Sequence, residues 1–263
     1  MTPSARPARE GGWSGAGSRP WVVKLGGRLC EEPRARAGLA AACAALGAPL
    51  VLVHGGGAQV SRMQQALGLQ PSFVEGRRVT SAEDLEVVEM ALSGAVNQAL
   101  VRELVAAGRP AVGLSGCDAG LVRCELRPGL GHVGAPARVE PRVLETLLDA
   151  GYTPVVSPVS LGPDGRAVNV NADEVACALA VALHAERLLL LSDVEGVRVE
   201  GSWRLELHEQ DIERLIESGQ VTHGMVPKLR AAAAATSRGV GEVRIAGFDG
   251  APLREIQGTR VQA

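Results

Sequence analysis

Short runs of apolar residues without polar alternation recur along the chain, and this pattern is typical of strands buried on both faces of a parallel sheet. Longer stretches between them predict helices, among them the alanine-rich segment 35–46 and one continuous helix over 81–107 that Gly108 would end. Strands that alternate with helices predict an α/β fold, in which helices cover the faces of the sheet. The predicted strands occupy residues 21–25, 50–53, 110–114, 153–157, 187–191 and, as the last of them, 243–246.

Three segments carry short apolar runs around turn residues, and each is predicted to be a β-hairpin. The first, residues 121–139, folds around a Pro-Gly-Leu-Gly turn and is expected to stand off the edge of the sheet. The second turns at the Pro-Asp-Gly of 163–165, and the third covers residues 197–207. Residues 70–80 lack such a pattern and are predicted to be a polar loop, which ends at two overlapping capping boxes before the long helix.

Glycine turns follow the first two predicted strands, at residues 26–27 and 55–57. Glycine allows a positive φ and lets the backbone approach a ligand closely. A helix predicted to begin near Ala58 would point its free N–H groups and its positive dipole end at the second turn. Because right-handed crossovers bring both turns to the carboxyl edge of the sheet, they predict an anion site there. The alternative is a tight strand-to-helix connection that binds no ligand.

Several polar residues that could serve a reaction lie at strand ends and helix starts. Lys24 precedes the first glycine turn, and Lys228 is predicted in the first turn of a helix, where a cation opposes the helix dipole. Each could be a solvated surface lysine, but two lysines beside anion-binding glycines suit phosphoryl transfer, which depends on positioning and charge neutralisation. Arg78 could bind a carboxylate through two parallel hydrogen bonds, or it could be a surface arginine. Asn169 presents an amide on an extended run, and Asp173 either serves the site or caps its helix.

Composition narrows the function classes further. The chain has 27 basic and 29 acidic residues, which gives no reason to expect nucleic acid or an anionic membrane as partner. Five scattered cysteines form no CxxC pair and no secretory signal is present, so a cytoplasmic protein is expected, with a disordered Gly- and Pro-rich tail at residues 1–20. Histidines and cysteines do not occur at metal-ligand spacing, so no protein-bound metal is predicted. Neither a Gly-x-Ser-x-Gly elbow nor a GxxxxGK[ST] phosphate loop occurs.

Seven motifs stand in a fixed order along residues 21–247. They are Lys24-Leu25-Gly26-Gly27, His54-Gly55-Gly56-Gly57, Gly76-Arg77-Arg78-Val79-Thr80, Gly131-His132-Val133-Gly134, Asn169-Val170-Asn171-Ala172-Asp173, Leu191-Ser192-Asp193-Val194 and Gly224-Met225-Val226-Pro227-Lys228. This order resembles the amino-acid kinase family. The resemblance implies an α/β fold of that type, an open and mainly parallel three-layer αβα sandwich with β-hairpins at the sheet edge. It also implies an N-terminal lobe at 21–184 for the amino-acid substrate and dimerisation, and a C-terminal lobe at 185–263 for ATP.

Within that family, the Arg78 and Asn169-to-Asp173 motifs resemble those of the members that phosphorylate the γ-carboxylate of N-acetyl-L-glutamate. The implied reaction consumes ATP, yields N-acetylglutamyl 5-phosphate and belongs to arginine biosynthesis. Carried over by position, Lys24 and Lys228 would neutralise the phosphoryl group in transfer, and Asp173 would orient both lysines. Arg78 and Asn169 would hold the α-carboxylate and neighbouring polar groups of the substrate.

The same resemblance assigns the phosphate and nucleotide contacts. Backbone N–H groups of Gly26, Gly27, Gly55 and Gly56 would contact the phosphates and the substrate. Magnesium would arrive on ATP, held largely by phosphate oxygens and water. The nucleotide pocket would be lined by Asp193, Val194, Glu195, Gly196, Val197, Arg198, Gln220, Val221 and Thr222.

Two departures from the family pattern and two other functions stay open. Arg77 stands where the family often has leucine, and the stretch 246–263 is shorter than usual. Because the Gly- and Pro-rich tail differs from the helical arm of arginine-inhibited members, an arginine-insensitive homodimer is expected. The alternative functions are a kinase for aminoadipate or glutamate linked to a carrier protein, and a catalytically silent regulator that binds an amino acid on the same fold.

Overall fold

The computed structural model describes residues 18–74, 76–222 and 224–263, so the predicted tail lies outside the described residues except at 18–20. The strands of this part are β1 (Trp21–Leu25), β2 (Leu50–His54), β3 (Ser72–Val74), β4 (Arg77–Val79), β5 (Ala111–Ser115), β6 (Val122–Leu126), β7 (Gly134–Val139), β8 (Thr153–Ser157), β9 (Val159–Leu161), β10 (Ala167–Asn169), β11 (Arg187–Leu191), β12 (Val197–Val199), β13 (Ser202–Arg204), β14 (Glu206–His208), β15 (Glu242–Ala246) and β16 (Thr259–Gln262). The helices are α1 (Arg28–Glu31), α2 (Pro33–Ala44), α3 (Gly57–Ala66), α4 (Ala82–Glu89), α5 (Asn97–Ala106), α6 (Arg142–Asp149), α7 (Ala172–Ala182), α8 (Glu209–Glu217) and α9 (Met225–Ser237).

Eight strands form the main sheet, in the order β14-β16-β15-β11-β1-β2-β8-β5. Neighbours pair in parallel except β15 and β16, which are antiparallel. All six strands predicted from the sequence belong to this sheet, which confirms the mainly parallel α/β fold. The sequence predicts no strand beyond residue 246, but β16 follows, inserted between β15 and β14. The hydrophobic pattern does not reveal β16 because the strand is short and alternates buried Thr259 and Val261 with more exposed neighbours.

The strand side chains alternate between two hydrophobic cores, one on each face of the main sheet. In β1, Val22 belongs to the first core, whereas Trp21, Val23 and Leu25 belong to the second. Helices α6, α7, α8 and α9 pack on the first core, and α1, α2 and α5 pack on the second, so the molecule has three layers. Strands covered on both faces are apolar at successive positions, which is why the sequence predicts them well. No helix in the described parts of the chain has the length and apolar character needed to cross a membrane.

All three predicted hairpins are present, as β6–β7, β9–β10 and β12–β13, but the third ends at Arg204, and the residues after it form β14 of the main sheet. The first two join in a separate four-stranded sheet of order β10-β9-β6-β7, in which β6 pairs with β9 through Arg123 and Leu161. The first hairpin thus lies outside the main sheet, as the sequence predicted, and pairs there with the second hairpin. The pairing of the two hairpins gives each of them a partner edge, which stabilises short strands that would be marginal alone.

The prediction of a polar loop over 70–80 is wrong, because strands β3 and β4 pair there as an antiparallel hairpin. All three residues of β3 are exposed, including Phe73, so no buried alternation marks the strand in the sequence. The hairpin presents Arg78, whose guanidinium lies 4.7 Å from the centroid of the Phe73 ring. The stacked pair fixes the arginine beside the cavity described below.

The long helix predicted over 81–107 is confirmed, but its middle part, Met90–Val96, is π-helical. Of the two capping boxes in the sequence, the one at Ser81 forms: its hydroxyl accepts from the Asp84 N–H at 3.1 Å, and the Asp84 carboxylate accepts from the Ser81 N–H at 3.0 Å. The π-helical turn places Leu92 against the second glycine turn. Single π-turns inside α-helices are frequent at functional sites.

Candidate active site

Both glycine turns lie at the carboxyl edge of the main sheet, side by side, because β1 and β2 are neighbours with Leu25 opposite His54. Helix α3 begins at Gly57, so its free N–H groups point at the second turn as the sequence predicted. One expected donor is already engaged, since the Gly55 N–H donates to the Leu25 carbonyl at 2.9 Å. In this structure the N–H of Gly55 is thus used within the protein, and the residue itself lines the cavity.

Lys24, Asp173 and Lys228 meet in one buried lysine–aspartate cluster. The Nζ atom of Lys24 lies 3.0 Å from Oδ1 of Asp173, and the Nζ atom of Lys228 lies 2.9 Å from the same oxygen. No side chain of the three is more than 10% exposed, so neither lysine is the solvated surface residue of the alternative interpretation. Strand β1 supplies one ammonium group and helix α9 the other. The cluster thus joins residues from both predicted lobes.

Asp173 is available to the lysines because a different residue caps its helix. The side-chain oxygen of Asn171 accepts from the N–H groups of Asp173 and Glu174, at 2.8 and 3.2 Å. This satisfies two of the free donors at the start of α7. The capping role considered for Asp173 therefore belongs to Asn171, and the carboxylate of Asp173 faces two cations instead.

Burial disfavours every charge in this cluster, and the attraction between its members opposes that effect. Burial acts to raise the pKa of Asp173, but the two ammonium groups outweigh it and lower the pKa to about 2. Burial and the neighbouring charge of Lys24 lower the pKa of Lys228 to about 8 despite the attraction of Asp173. For Lys24 that attraction outweighs burial, and the pKa is raised. At neutral pH the cluster therefore carries two positive charges and one negative charge, an excess that attracts an anion.

Two glycines beside the cluster are required by space and backbone geometry. A Cβ atom at Gly26 would lie 3.0 Å from Nζ of Lys24 and 3.2 Å from the Leu191 carbonyl oxygen, so a side chain would crowd the ammonium group. Gly56 has a φ of 151°, and a Cβ atom there would lie 2.8 Å from Cδ2 of Leu92. Both positions let backbone and ammonium come close to a ligand without obstruction.

A cavity of about 220 Å³ opens beside the cluster and brings most of the predicted substrate residues together. Lys24 and Asp173 line it with Gly55, Gly56, Arg78 and Asn169. Its remaining wall is largely apolar, with Val60, Val88, Leu92 and Val133 among the lining residues. A cavity that joins an apolar wall to a few converging polar groups has the composition of a small-molecule site.

The guanidinium of Arg78 is held in place from three directions. It donates to the Gly57 carbonyl at 2.9 Å, to the Ser61 hydroxyl at 2.8 Å and to the side-chain oxygen of Gln64. The amide of Gln64 in turn donates to the carboxylate of Asp84. Sequence analysis missed Ser61 and Gln64. The available signal was that Gln64 follows Val60 by one helical turn, on the buried face of α3 where an apolar residue is expected.

The residues predicted to bind nucleotide lie around the carboxyl end of β11 and the loop after α8, outside the lining of this cavity. Asp193 follows β11 and packs against Gly27, whereas Arg198 lies over the Trp203 ring at 5.4 Å. The side chains of Val197 and Val221 belong to the first hydrophobic core, and their N–H groups donate to the Thr259 hydroxyl and the Leu215 carbonyl, so neither offers a side chain or an N–H group to a ligand here. Gly196 is buried. The remaining residues of the set are exposed: Val194, Glu195, Gln220 and Thr222.

Known proteins resemble this chain in sequence. Acetylglutamate kinase of Rubrobacter xylanophilus is 52% identical over 194 residues, which cover 74% of this chain and 76% of the relative. Acetylglutamate kinase of Methanopyrus kandleri is 48% identical over 224 residues, which cover 81% of this chain and 90% of the relative.

Solved structures agree with these sequence relatives. The crystal structure of smu.665 from Streptococcus mutans UA159 superposes with a TM-score of 0.81 at 28% identity, covering 93% of this chain and 98% of that one. N-acetylglutamate synthase from Neisseria gonorrhoeae, complexed with coenzyme A and N-acetyl-glutamate, gives a TM-score of 0.80 at 26% identity, covering 93% of this chain and 59% of that one. Residues 19–247 match the sequence pattern of the amino acid kinase family, and the chain therefore belongs to that family.

Proposed function

We propose that this chain transfers the γ-phosphoryl group of ATP to the γ-carboxylate of N-acetyl-L-glutamate and forms N-acetylglutamyl 5-phosphate, a step in arginine biosynthesis. The observation that carries this function is the pair of buried ammonium groups on one carboxylate, beside two glycine turns and a cavity that contains a fixed arginine. Acetylglutamate kinases that are 48–52% identical to the chain support this choice of substrate.

The lysine–aspartate cluster is proposed to stabilise the phosphoryl group in transfer. That group carries its charge on three oxygens, so preorganised cations lower the barrier without any covalent step. Lys24 and Lys228 would approach it from opposite halves of the chain, while Asp173 holds both ammonium groups in place. Backbone N–H groups of Gly26, Gly27 and Gly56, with the N-terminus of α3, would contact the phosphates. No general base is needed, because a glutamate γ-carboxylate is already ionised at neutral pH.

The fixed arginine is proposed to bind the α-carboxylate of the acyl amino acid. Three of the five N–H donors of Arg78 are used within the protein, so two remain for the ligand. Asn169, whose amide donates to the Thr80 hydroxyl at 3.1 Å, would contact a neighbouring polar group of the substrate. The apolar wall of the cavity would accept the methylene groups and the acetyl methyl group.

The two halves of the chain are proposed to divide the substrates between them. Residues 21–184 would bind the amino-acid derivative, and residues 185–263 would bind ATP through the segments 193–198 and 220–222. Magnesium would come with ATP and supply additional charge neutralisation on the phosphates. The positive charge of the lysine–aspartate cluster suits a phosphate ligand of this kind.

We also propose that the protein is a homodimer in the cytoplasm. Strand β5 ends the main sheet with no partner on its outer side among the described residues, and Met90 and Val105 on the long helix beside it are exposed. An open sheet edge next to apolar side chains is a surface that a second copy would cover. Five free cysteines fit a reducing compartment. Sedimentation at micromolar concentration would test the dimer.

The enzymatic proposal is tested by trapping the acyl phosphate with hydroxylamine. We expect hydroxamate to form at a rate that requires ATP, magnesium and N-acetyl-L-glutamate together. Faster reaction with a carrier-linked aminoadipate or glutamate would support the second kinase function instead. An acidic carrier would need free positive charge near the cavity, but the cavity-lining Arg77 and its neighbour Arg127 are both paired with Glu174. Binding of the amino acid without turnover would indicate the silent regulator.

A further inference from the structure

One carboxylate, adjacent in sequence to the cavity-lining Asp173, binds two arginines that come from two different hairpins. Glu174 accepts from Nη2 of Arg77 at 2.9 Å through Oε1. It accepts from Nη2 of Arg127 at 3.1 Å through Oε1 and at 2.9 Å through Oε2. Glu174 directly follows Asp173 in the first turn of α7, so the helix that carries the carboxylate of the lysine–aspartate cluster also carries this contact.

The two hairpins that Glu174 joins both form the cavity. The substrate hairpin, β3–β4, presents Arg78 and also lines the cavity with Phe73 and Arg77. The cover hairpin, β6–β7, contributes Val133 and Gly134 from the approach to its second strand. A change in the position of either hairpin therefore changes the shape of the substrate site.

Backbone hydrogen bonds connect the two hairpins next to these arginines. The Thr80 N–H donates to the Leu130 carbonyl at 3.0 Å, and the His132 N–H donates to the Thr80 carbonyl at 2.8 Å. The Asn169 N–H donates to the His132 carbonyl at 2.9 Å, which extends the connection to β10. These few backbone hydrogen bonds lie in short turns. Ion pairs that also join the hairpins would therefore strengthen the connection between them substantially.

The ion pairs depend on Glu174 for charge compensation. The side chain of Glu174 is 17% exposed, and those of Arg77 and Arg127 are 24% and 32% exposed. Within the described chain, the Nε atoms of both arginines are buried without a hydrogen-bond partner, so each guanidinium reaches a carboxylate through Nη2. Without the glutamate charge, two guanidinium groups would remain close together in a partly desolvated place, where like charges repel strongly.

We propose that Glu174 is a positioning residue that holds the substrate hairpin and the cover hairpin closed over the cavity. It does not reach the reacting atoms. Its removal should weaken binding of the acyl amino acid while the phosphoryl-transfer step and ATP binding stay intact. This inference rests on the proposed function for its substrate, but the closure itself can be measured without any substrate.

The test compares Glu174→Gln with the wild-type protein. We expect KM for N-acetyl-L-glutamate to rise at least about ten-fold, which corresponds to ~1.4 kcal/mol, whereas kcat and KM for ATP change by less than about two-fold. In the protein without substrate, hydrogen exchange of the Thr80 and His132 amides should accelerate about ten-fold, because their bonds connect the hairpins. The matched control is Glu213→Gln, since Glu213 also binds one arginine through two bonds of 2.9 Å but lies on the exposed surface of α8.

A triple variant separates positioning from the simple cost of unpaired charges. Combining Glu174→Gln with Arg77→Met and Arg127→Met removes the repelling cations, so thermal stability should return towards wild type while KM stays raised. Recovery of wild-type KM in the triple variant would overturn the proposal, as would unchanged exchange and KM in Glu174→Gln. If the wild-type protein forms no acyl phosphate, the proposed function fails, and the exchange of the Thr80 and His132 amides alone decides whether Glu174 closes the hairpins.

Discussion

Replacing Asp173 with asparagine tests the lysine–aspartate cluster most directly, because it removes one charge and preserves the shape of the side chain. In the wild-type protein, Oδ1 of Asp173 lies within 3.0 Å of two ammonium groups, and all three side chains are almost fully buried. In the variant, Lys24 and Lys228 would keep a polar neighbour but lose the only negative charge within the cluster. Two buried cations would then face each other without compensation.

The expected loss of stability is large. Removing one partner of a buried ion pair costs ~3–5 kcal/mol, and a folded domain is stable by only ~5–15 kcal/mol in total. The exposed pair of Asp211 and Arg214, whose atoms are 2.8 Å apart, provides the matched comparison: Asp211→Asn should cost no more than ~1 kcal/mol. We therefore expect Asp173→Asn to remain folded in the absence of denaturant but to unfold at a markedly lower urea concentration.

The loss of stability in Asp173→Asn should depend on pH, because its cause is the repulsion between the two lysine charges. Burial and the charge of Lys24 already lower the pKa of Lys228 to about 8, and the variant should lower it further. A lysine with a lowered pKa in the folded state favours folding more as pH rises through that value towards the pKa of the unfolded chain. The difference in unfolding free energy between wild type and Asp173→Asn should therefore shrink between about pH 7 and about pH 9.5.

Urea unfolding followed by tryptophan fluorescence at both pH values measures these differences. A double variant that combines Asp173→Asn with Lys228→Met should recover much of the lost stability, because a single buried cation remains. The electrostatic account of the cluster would be refuted if Asp173→Asn at about pH 7 stayed within ~1 kcal/mol of wild type, or if its cost did not depend on pH.

Three further outcomes follow from the same contacts. Lys24→Ala and Lys228→Ala should each lower turnover in the hydroxamate assay by about 10²–10³, the effect of removing one preorganised charge donor, and unchanged turnover in both would contradict their assignment. Because the role proposed for Lys228 requires its protonated form, kcat/KM for ATP should fall as pH rises above about 8, and a flat profile to about pH 10 would argue against that role. Gln64→Leu should raise KM for N-acetyl-L-glutamate about ten-fold by releasing Arg78, while KM for ATP stays constant, and isothermal titration would show whether binding itself is weakened.

The sequence predicts the parts of this molecule whose local pattern carries the physical constraint. Strands such as β2 and β11 are buried on both faces, so four successive residues of each are apolar, with only His54 and Arg187 at a strand end as exceptions, and the pattern is visible without a structure. The two glycine turns come directly after strands of that kind, and Lys24 lies near the end of one, so the strand pattern also locates these residues. Right-handed connections between parallel strands then bring these turns to one edge.

Features that depend on distant partners are not visible in the same way. Strand β3 is exposed and pairs only with β4, so nothing in its composition distinguishes it from a loop. Glu174 appears in the sequence as an acidic residue in a first helical turn, where the helix dipole alone would explain it. Its two arginine partners lie in separate hairpins, and only the folded chain brings them together.

The position of β1 in the middle of the main sheet has a consequence for how this chain is made. One edge of β1 pairs with β2, which is nearby in sequence, but the other edge has to wait for β11, far along the chain. During synthesis on the ribosome, the nascent N-terminal half therefore exposes an apolar strand with open hydrogen-bonding groups, a state prone to aggregation. Long-range pairing of this kind is slow, so the open edge of β1 stays exposed until the second half of the sheet has formed.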